Sequence, residues 1–144
     1  MSQRTQITQA LANKLKTIDG TGSYTIDLQN QCYAKLRFWD EINDFPSVYI
    51  SPGNEVREYL PAGFKWGLLN VSVKVYCKRE DEPQEQLEEL LTNIETCLDA
   101  NNNLPFGNSQ ETTDILITSI TTDEGLLAPY AVGEINLQIR YEVL

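Results

Sequence analysis

Two stretches of this chain place an apolar side chain at every second residue. Between Gly67 and Lys78 the apolar set is Val71, Val73, Val75 and Cys77, alternating with Asn70, Ser72, Lys74, Tyr76 and Lys78. Near the C-terminus it is Ile135, Leu137, Ile139, Tyr141 and Val143, alternating with Glu134, Asn136, Gln138, Arg140 and Glu142. A period of two marks a β-strand whose two faces meet different surroundings. Strands of a parallel sheet are covered on both faces and read as unbroken apolar runs, so this pattern belongs to an antiparallel sheet with one polar face. The apolar face needs a cover.

Two amphipathic segments can supply it. Ile7, Leu11, Leu15 and Ile18 recur at near-helical spacing over residues 5–18. Ser2 or Thr5 is placed to cap that helix, and Asp19-Gly20-Thr21-Gly22 ends it. After Asp81 the apolar residues are Leu87, Leu90, Leu91, Ile94 and Leu98, spaced by three and four. Asp81 reads as the N-cap, Gln84 as the partner completing a capping box, and Pro83 as a first-turn residue. Glu82, Glu85, Glu88 and Glu89 gather at the positive end of the helix dipole. Asn101-Asn102-Asn103 and Pro105 stop the helix after Ala100.

Two further strands are expected, at Ser47–Ser51 and Ile115–Thr122, and Tyr24–Leu28 is a weaker candidate. Pro52-Gly53-Asn54 reads as a turn. Residues 55–66, broken by Pro61-Ala62-Gly63, read as a loop or hairpin arm. Residues 101–114 read as a polar loop and 123–133 as an apolar one. No period emerges over 29–46, where Tyr33, Leu36, Phe38 and Trp39 are expected to be partly buried. The order predicts an α+β, two-layer fold: a mainly antiparallel sheet of about four strands, two amphipathic helices on one face, and an extended arm or hairpin. With 144 residues and no repeat or linker, residues 1–144 are expected to form a single domain.

The composition excludes more chemistry than it suggests. There is no histidine, which removes the commonest general base and metal ligand. The formal charge is −10, so the chain repels phosphate as a whole and is not expected to bind nucleic acid tightly. No apolar run reaches the roughly 20 residues of a membrane helix, and the N-terminus has no signal-peptide segment. Cys32, Cys77 and Cys97 match no zinc or redox spacing and read as reduced thiols, with Cys77 and Cys97 in the core. Asp40, Glu41 and Asp44 read as a solvated loop, and Glu80, Asp81 and Glu82 as a helix start. No catalytic residue, metal site or cofactor is expected. The enzyme alternative is a carboxylate pair that meets only in the fold, in a cleft between sheet and helices.

The apolar loops carry the functional signal. Tyr59, Leu60, Phe64 and Trp66 lie in the arm; Leu126, Leu127, Pro129 and Tyr130 lie in the 123–133 loop. Apolar groups in surface segments mark contacts with a partner or another subunit, unless they fold back over the ends of the core. The final strand, Tyr141-Glu142-Val143-Leu144, is expected at a sheet edge, where it could pair with a neighbour.

The order of elements resembles the tail terminator (tail completion) proteins of long-tailed bacteriophages. The resemblance rests on the N-terminal helix, the strand "FPSVYISPG", the arm, the unit "WGLLNVSVKVYCKREDEPQEQLEELLTNIETCL", and the strands "ILITSITTDEG" and "AVGEINLQIRYEV". It implies a structural virion protein, assembled in the host cytoplasm and located in the tail. It implies a homo-oligomeric ring, a hexamer, that caps the tail tube, ends its polymerisation and joins the tail to the head–neck complex. The implied partners are the tail tube protein and neck or connector proteins, with DNA passing through unbound and no membrane involved. Another tail or neck component, connector-like or tube-like, is the near alternative, and a small ligand-binding domain the more distant one.

Overall fold

A computed structural model describes residues 2–144, apart from the side chain of Trp39. Among the described residues there are two α-helices, α1 (Gln3–Leu15) and α2 (Pro83–Asp99). The strands are β1 (Cys32–Tyr33), β2 (Ser47–Tyr59), β3 (Lys65–Lys78), β4 (Pro105–Phe106), β5 (Gln110–Glu111), β6 (Asp114–Thr122) and β7 (Tyr130–Glu142). Five of them form one sheet in the order β1-β2-β3-β7-β6, antiparallel except for the short β1–β2 pair. β4 and β5 form a separate two-stranded ribbon. The class is α+β, as the alternating strands require, with five strands rather than four in the main sheet.

Both alternating stretches bury their predicted set. Val71, Val73, Val75, Cys77, Ile135, Leu137, Ile139, Tyr141 and Val143 join α1 and α2 in one core cluster. Ser2 caps α1, its Oγ accepting from the Thr5 amide at 3.1 Å. The three thiols are all buried, Cys32 included, and burial pushes the Cys32 and Cys77 thiols up to about 12, so both are protonated at neutral pH.

α2 starts one residue later than expected and without the capping box. Glu82, in the left-handed region at φ 49°, takes the N-cap position. Gln84 is unavailable because its amide donates to Asp123 Oδ1 at 2.6 Å. The Arg79 guanidinium instead holds the turn through the carbonyls of Asp81 and Glu82.

Tyr24–Leu28 is not a strand. Buried Asn93 on α2 takes its place as partner: Oδ1 accepts from the Thr25 and Ile26 amides at 2.7 and 3.1 Å, and Nδ2 donates to Thr25 Oγ1 and the Glu89 carbonyl. This satisfies the amide group and leaves the segment only one isolated bridge, Asp19 with Asp27. The 101–114 segment is likewise more ordered than a polar loop. It contains β4 and β5, and buried Thr112 clasps it, accepting from the Leu104 amide and donating to the Asn102 carbonyl, both at 2.8 Å.

Pro52-Gly53-Asn54 is not a turn either. β2 runs straight through it, pairing Pro52 with Val71 and Glu55 with Leu69, so that Gly53 and Asn54 together oppose Asn70. That is a β-bulge. The arm is therefore the outer half of a continuous β2–β3 hairpin, paired as far as Tyr59 with Lys65.

β7 is an interior strand, between β3 and β6, not an edge. Thirteen-residue pairing with β3 on one side and β6 on the other uses both of its backbone edges. No neighbour can add to it, which removes pairing along the C-terminal strand as a mode of association.

The far face of the sheet is half covered by the protein's own chain. After β1, residues 34–46 cross to that face and build a second, smaller cluster of Ile42, Tyr49 and Tyr76, flanked by Tyr33, Phe45 and Val132. Tyr76 falls in the polar register yet is buried, its hydroxyl donating to the Arg37 carbonyl at 3.0 Å. Leu36 and Phe38, expected to be partly buried, are exposed, Phe38 edging a groove with Lys74 and Tyr76, because Tyr49 and Tyr76 meet Ile42 and Phe45 instead. The Trp39 side chain lies outside the described residues.

Candidate assembly surfaces

The two apolar segments lie at opposite ends of β3. Lys65 begins that strand at the hairpin tip, and Lys78 ends it beside Tyr130. Fourteen residues at about 3.3 Å each separate the ends by roughly 45 Å.

At the tip, Leu60–Phe64 connects the strands. Pro61 pre-sets its own φ, and Ala62 and Gly63 then take positive φ of 66° and 80°. The Leu60 amide closes the loop on the Phe64 carbonyl at 2.8 Å. Tyr59 is 71% exposed, and Leu60 and Phe64 are exposed beside it. Trp66 is half-buried, with the Arg140 guanidinium 4.7 Å over its ring.

The base of the hairpin is fastened. The Tyr141 ring lies so close over Gly67 that a Cβ there would sit 2.7 Å from it. Only glycine leaves room for the ring. Tyr141 Oη donates to Glu55 Oε1 at 2.5 Å, and Arg57 Nε pairs with Glu55 Oε2 at 2.5 Å. Burial, reinforced by the Glu55 carboxylate, pushes the Tyr141 phenol up to about 12, so it remains a donor. The Arg4 guanidinium bonds the Gly53 carbonyl at the bulge, and Gln3 ties the end of the chain through the Glu142 carbonyl and the Leu144 amide.

At the other end Asp123 organises the loop. Its Oδ2 accepts from the Leu127 amide at 3.0 Å; its Oδ1 accepts from the Val132 amide at 3.1 Å and from Gln84. This draws the loop inward. Leu126 alone of the four named there is fully out, at 84% exposure. Leu127 and Pro129 are half-buried, and the Pro129 carbonyl accepts from the Arg79 amide. Tyr130 packs on Phe45, with ring centroids 5.7 Å apart, and carries the Lys78 ammonium over its ring.

So the arm residues Tyr59, Leu60, Phe64 and Trp66 come together at one end, while the loop residues divide between solvent and core. Other apolar groups outside the eight contact candidates are also exposed: Val56 on the hairpin, and Leu116 and Ile120 on β6. Leu116 was detectable, since it pairs with polar Gln138 and so shares the far face with it.

No group of three or more possible metal ligands occurs among the described residues. A surface groove of about 440 Å³ lies between α2 and residues 23–25, and its carboxylates, Glu85, Glu88 and Glu89, all stand exposed on one helix. No helix among the described residues is long and apolar enough to cross a membrane.

A layered subunit with exposed apolar groups at the ends of its longest strand has the form of an assembly component. The family model described as Bacteriophage Tail Tube Terminator Protein matches residues 1–144. The tail tube terminator protein p142 of Escherichia phage T5 is 39% identical over 153 residues, covering 99% of this chain and 95% of that protein. A chain in the solved virion of a native gene transfer agent particle shares the fold with a TM-score of 0.55 at 11% identity, over 98% of this chain and 95% of that one. The chain belongs to the bacteriophage tail tube terminator family, a structural family rather than an enzyme class, whose place is the virion tail.

Proposed function

We propose that this chain, acting as a single domain over residues 1–144, is the subunit of a hexameric ring. The ring seats on the end of the tail tube, ends its polymerisation and offers its other side to the neck or connector proteins. Family membership supports termination as the task, and the name of the T5 relative says the same of that protein. The observation that carries the reading is the hairpin tip: Tyr59, Leu60 and Phe64 stand in solvent on a base fixed by Tyr141, Glu55 and Arg57. Exposed aromatics on rigid backbone lose little freedom when they dock, which is the economy of a contact surface. In this reading Tyr59, Leu60, Phe64 and Trp66 meet one partner, and Leu126, with Leu127, Pro129 and Tyr130 behind it, meets another at the opposite end. Unlike ends of this kind suit a ring that meets the tube on one side and the neck or connector proteins on the other. The charge of −10 leaves the wall of such a ring non-adhesive to DNA passing through.

The test is electron microscopy of the purified protein, alone and with tail tubes. Hexameric rings with an open centre, seated on tube ends and halting their growth, are the expected outcome. Tubes that elongate unchanged in its presence would remove the assignment.

A further inference from the structure

We propose that the outer edge of β6 pairs with the outer edge of β2 in a second copy of this chain, so that the sheets of neighbouring subunits continue as one antiparallel sheet. The proposal rests on the ring reading and names the surface through which the ring closes.

Both edges are unpaired among the described residues. β6 has β7 on one side only, and β1 covers β2 only at Val48 and Tyr49. An unpaired strand edge is a row of backbone donors and acceptors waiting for a partner, and proteins that must stay separate blunt it with charge, proline or cover. β6 has no such guard: from Ile115 to Thr122 there is neither a charged residue nor a proline, and Leu116 and Ile120 are 49% and 44% exposed. Its bulge at Thr118 turns that hydroxyl back to its own sheet, onto the Asn136 carbonyl at 3.0 Å.

Strand sense selects the partner. Neighbours in β2-β3-β7-β6 alternate in direction, so β6 runs opposite to β2. A copy generated by rotation about an axis along the strands keeps that sense, and its β2 meets β6 antiparallel. The lengths also match. Through their pairing partners, Asp114 lies level with Val56 and Ile120 level with Ile50, the first residue of β2 beyond the two that β1 covers.

Charge excludes the other simple arrangement. No lysine or arginine occurs between Arg79 and Arg140. The β6 side therefore carries only acids: Glu111, Asp114, Asp123 and Glu124. The β2 side mixes its acids, Asp40, Glu41, Asp44, Glu55 and Glu58, with Arg4, Lys35, Arg37 and Arg57. A two-fold pairing of β6 with β6 sets acids against acids. Pairing with β2 brings the bases of that side to them.

Hydrogen exchange of the full chain reads the edge directly. In assembled rings the amides of residues 115–121 exchange at least about tenfold more slowly than in the double variant L116K/I120K, which keeps its melting temperature and stays monomeric. Mixing single variants D114C and V56C, which the register places level, yields a linked pair under oxidising conditions, and neither variant links alone; the native thiols are buried and do not compete. Rings visible by microscopy whose β6 amides exchange as in the monomer would overturn the edge proposal and leave the ring standing. Self-linking of D114C, or protection that arises only when tail tubes are added, would overturn it too, giving the edge to its own copy or to the tube. A chain that never assembles removes both readings.

Discussion

The hairpin tip and the 123–130 loop are similar in composition and opposite in construction. Each is a short apolar run at one end of β3. At the tip the stabilising contacts lie beneath the backbone, in the Tyr141–Glu55–Arg57 cluster, and the aromatic side chains are left outside. In the loop a single carboxylate, Asp123, gathers two backbone amides and a side-chain amide, and the apolar side chains other than Leu126 turn in behind it. Apolar residues in a surface loop are thus no measure of a docking patch. What decides is whether the local polar groups bond below the segment or at its centre.

The sharpest challenge to that contrast is Asp123→Ala. It strands three donors, and a loss of about 3 kcal/mol of stability is expected in urea unfolding, with Leu127 and Tyr130 becoming accessible. A neutral result would mean the loop is held by its apolar contacts alone. Gly67→Ala probes the other end. The new methyl forces the Tyr141 ring aside, for a cost of about 2 kcal/mol by the same assay.

Tyr141→Phe is milder, about 1 kcal/mol at neutral pH, because the ring packing survives and only the bond to Glu55 is lost. Its pH signature is specific. The folded-state pKa of about 12 lies above the ordinary 10, so the contribution is complete below pH 10 and fades as pH rises toward 12. Unfolding curves of the wild type and the variant should converge over that interval. The smallest stability effect belongs to Phe64→Ser, within about 0.5 kcal/mol, since the side chain is already exposed. Its expected effect is on tube capping, read by tube length in micrographs. If Leu126→Ser impaired capping and Phe64→Ser did not, the tube would meet the loop end rather than the tip.

Much of the helix face was legible because its residues obey a period. Val71 to Cys77, Ile135 to Val143 and Leu87 to Leu98 each meet the core at regular spacing, and regular spacing survives without knowledge of partners. The misreadings share a different cause. At Gly53-Asn54 the core-facing set passes from Val48, Ile50 and Pro52 to Glu55, Arg57 and Tyr59, so the bulge breaks the period and imitates a turn. Tyr76 sits in the polar register and is buried by a flap that has no period of its own. Gln84 fits a capping box until Asp123, 39 residues on, takes its amide. The interior position of β7 depends on strand order, which no local pattern encodes. Of the candidate contact residues, Tyr59, Leu60 and Phe64 at the tip were readable as exposed because a two-stranded arm has few places to hide a side chain. Those in the loop were not, because their fate depends on one distant carboxylate.

The extra residue in β2 has one more consequence. Opposite Asn70 the strand carries Gly53 and Asn54 where one residue would suffice, and beyond this point the inward and outward sets are already correct. Deleting Asn54 would leave every later side chain on its present side but remove the local bend and added twist. The outer hairpin would then project along a new heading. A single codon therefore sets the bearing of the tip, independently of its chemistry.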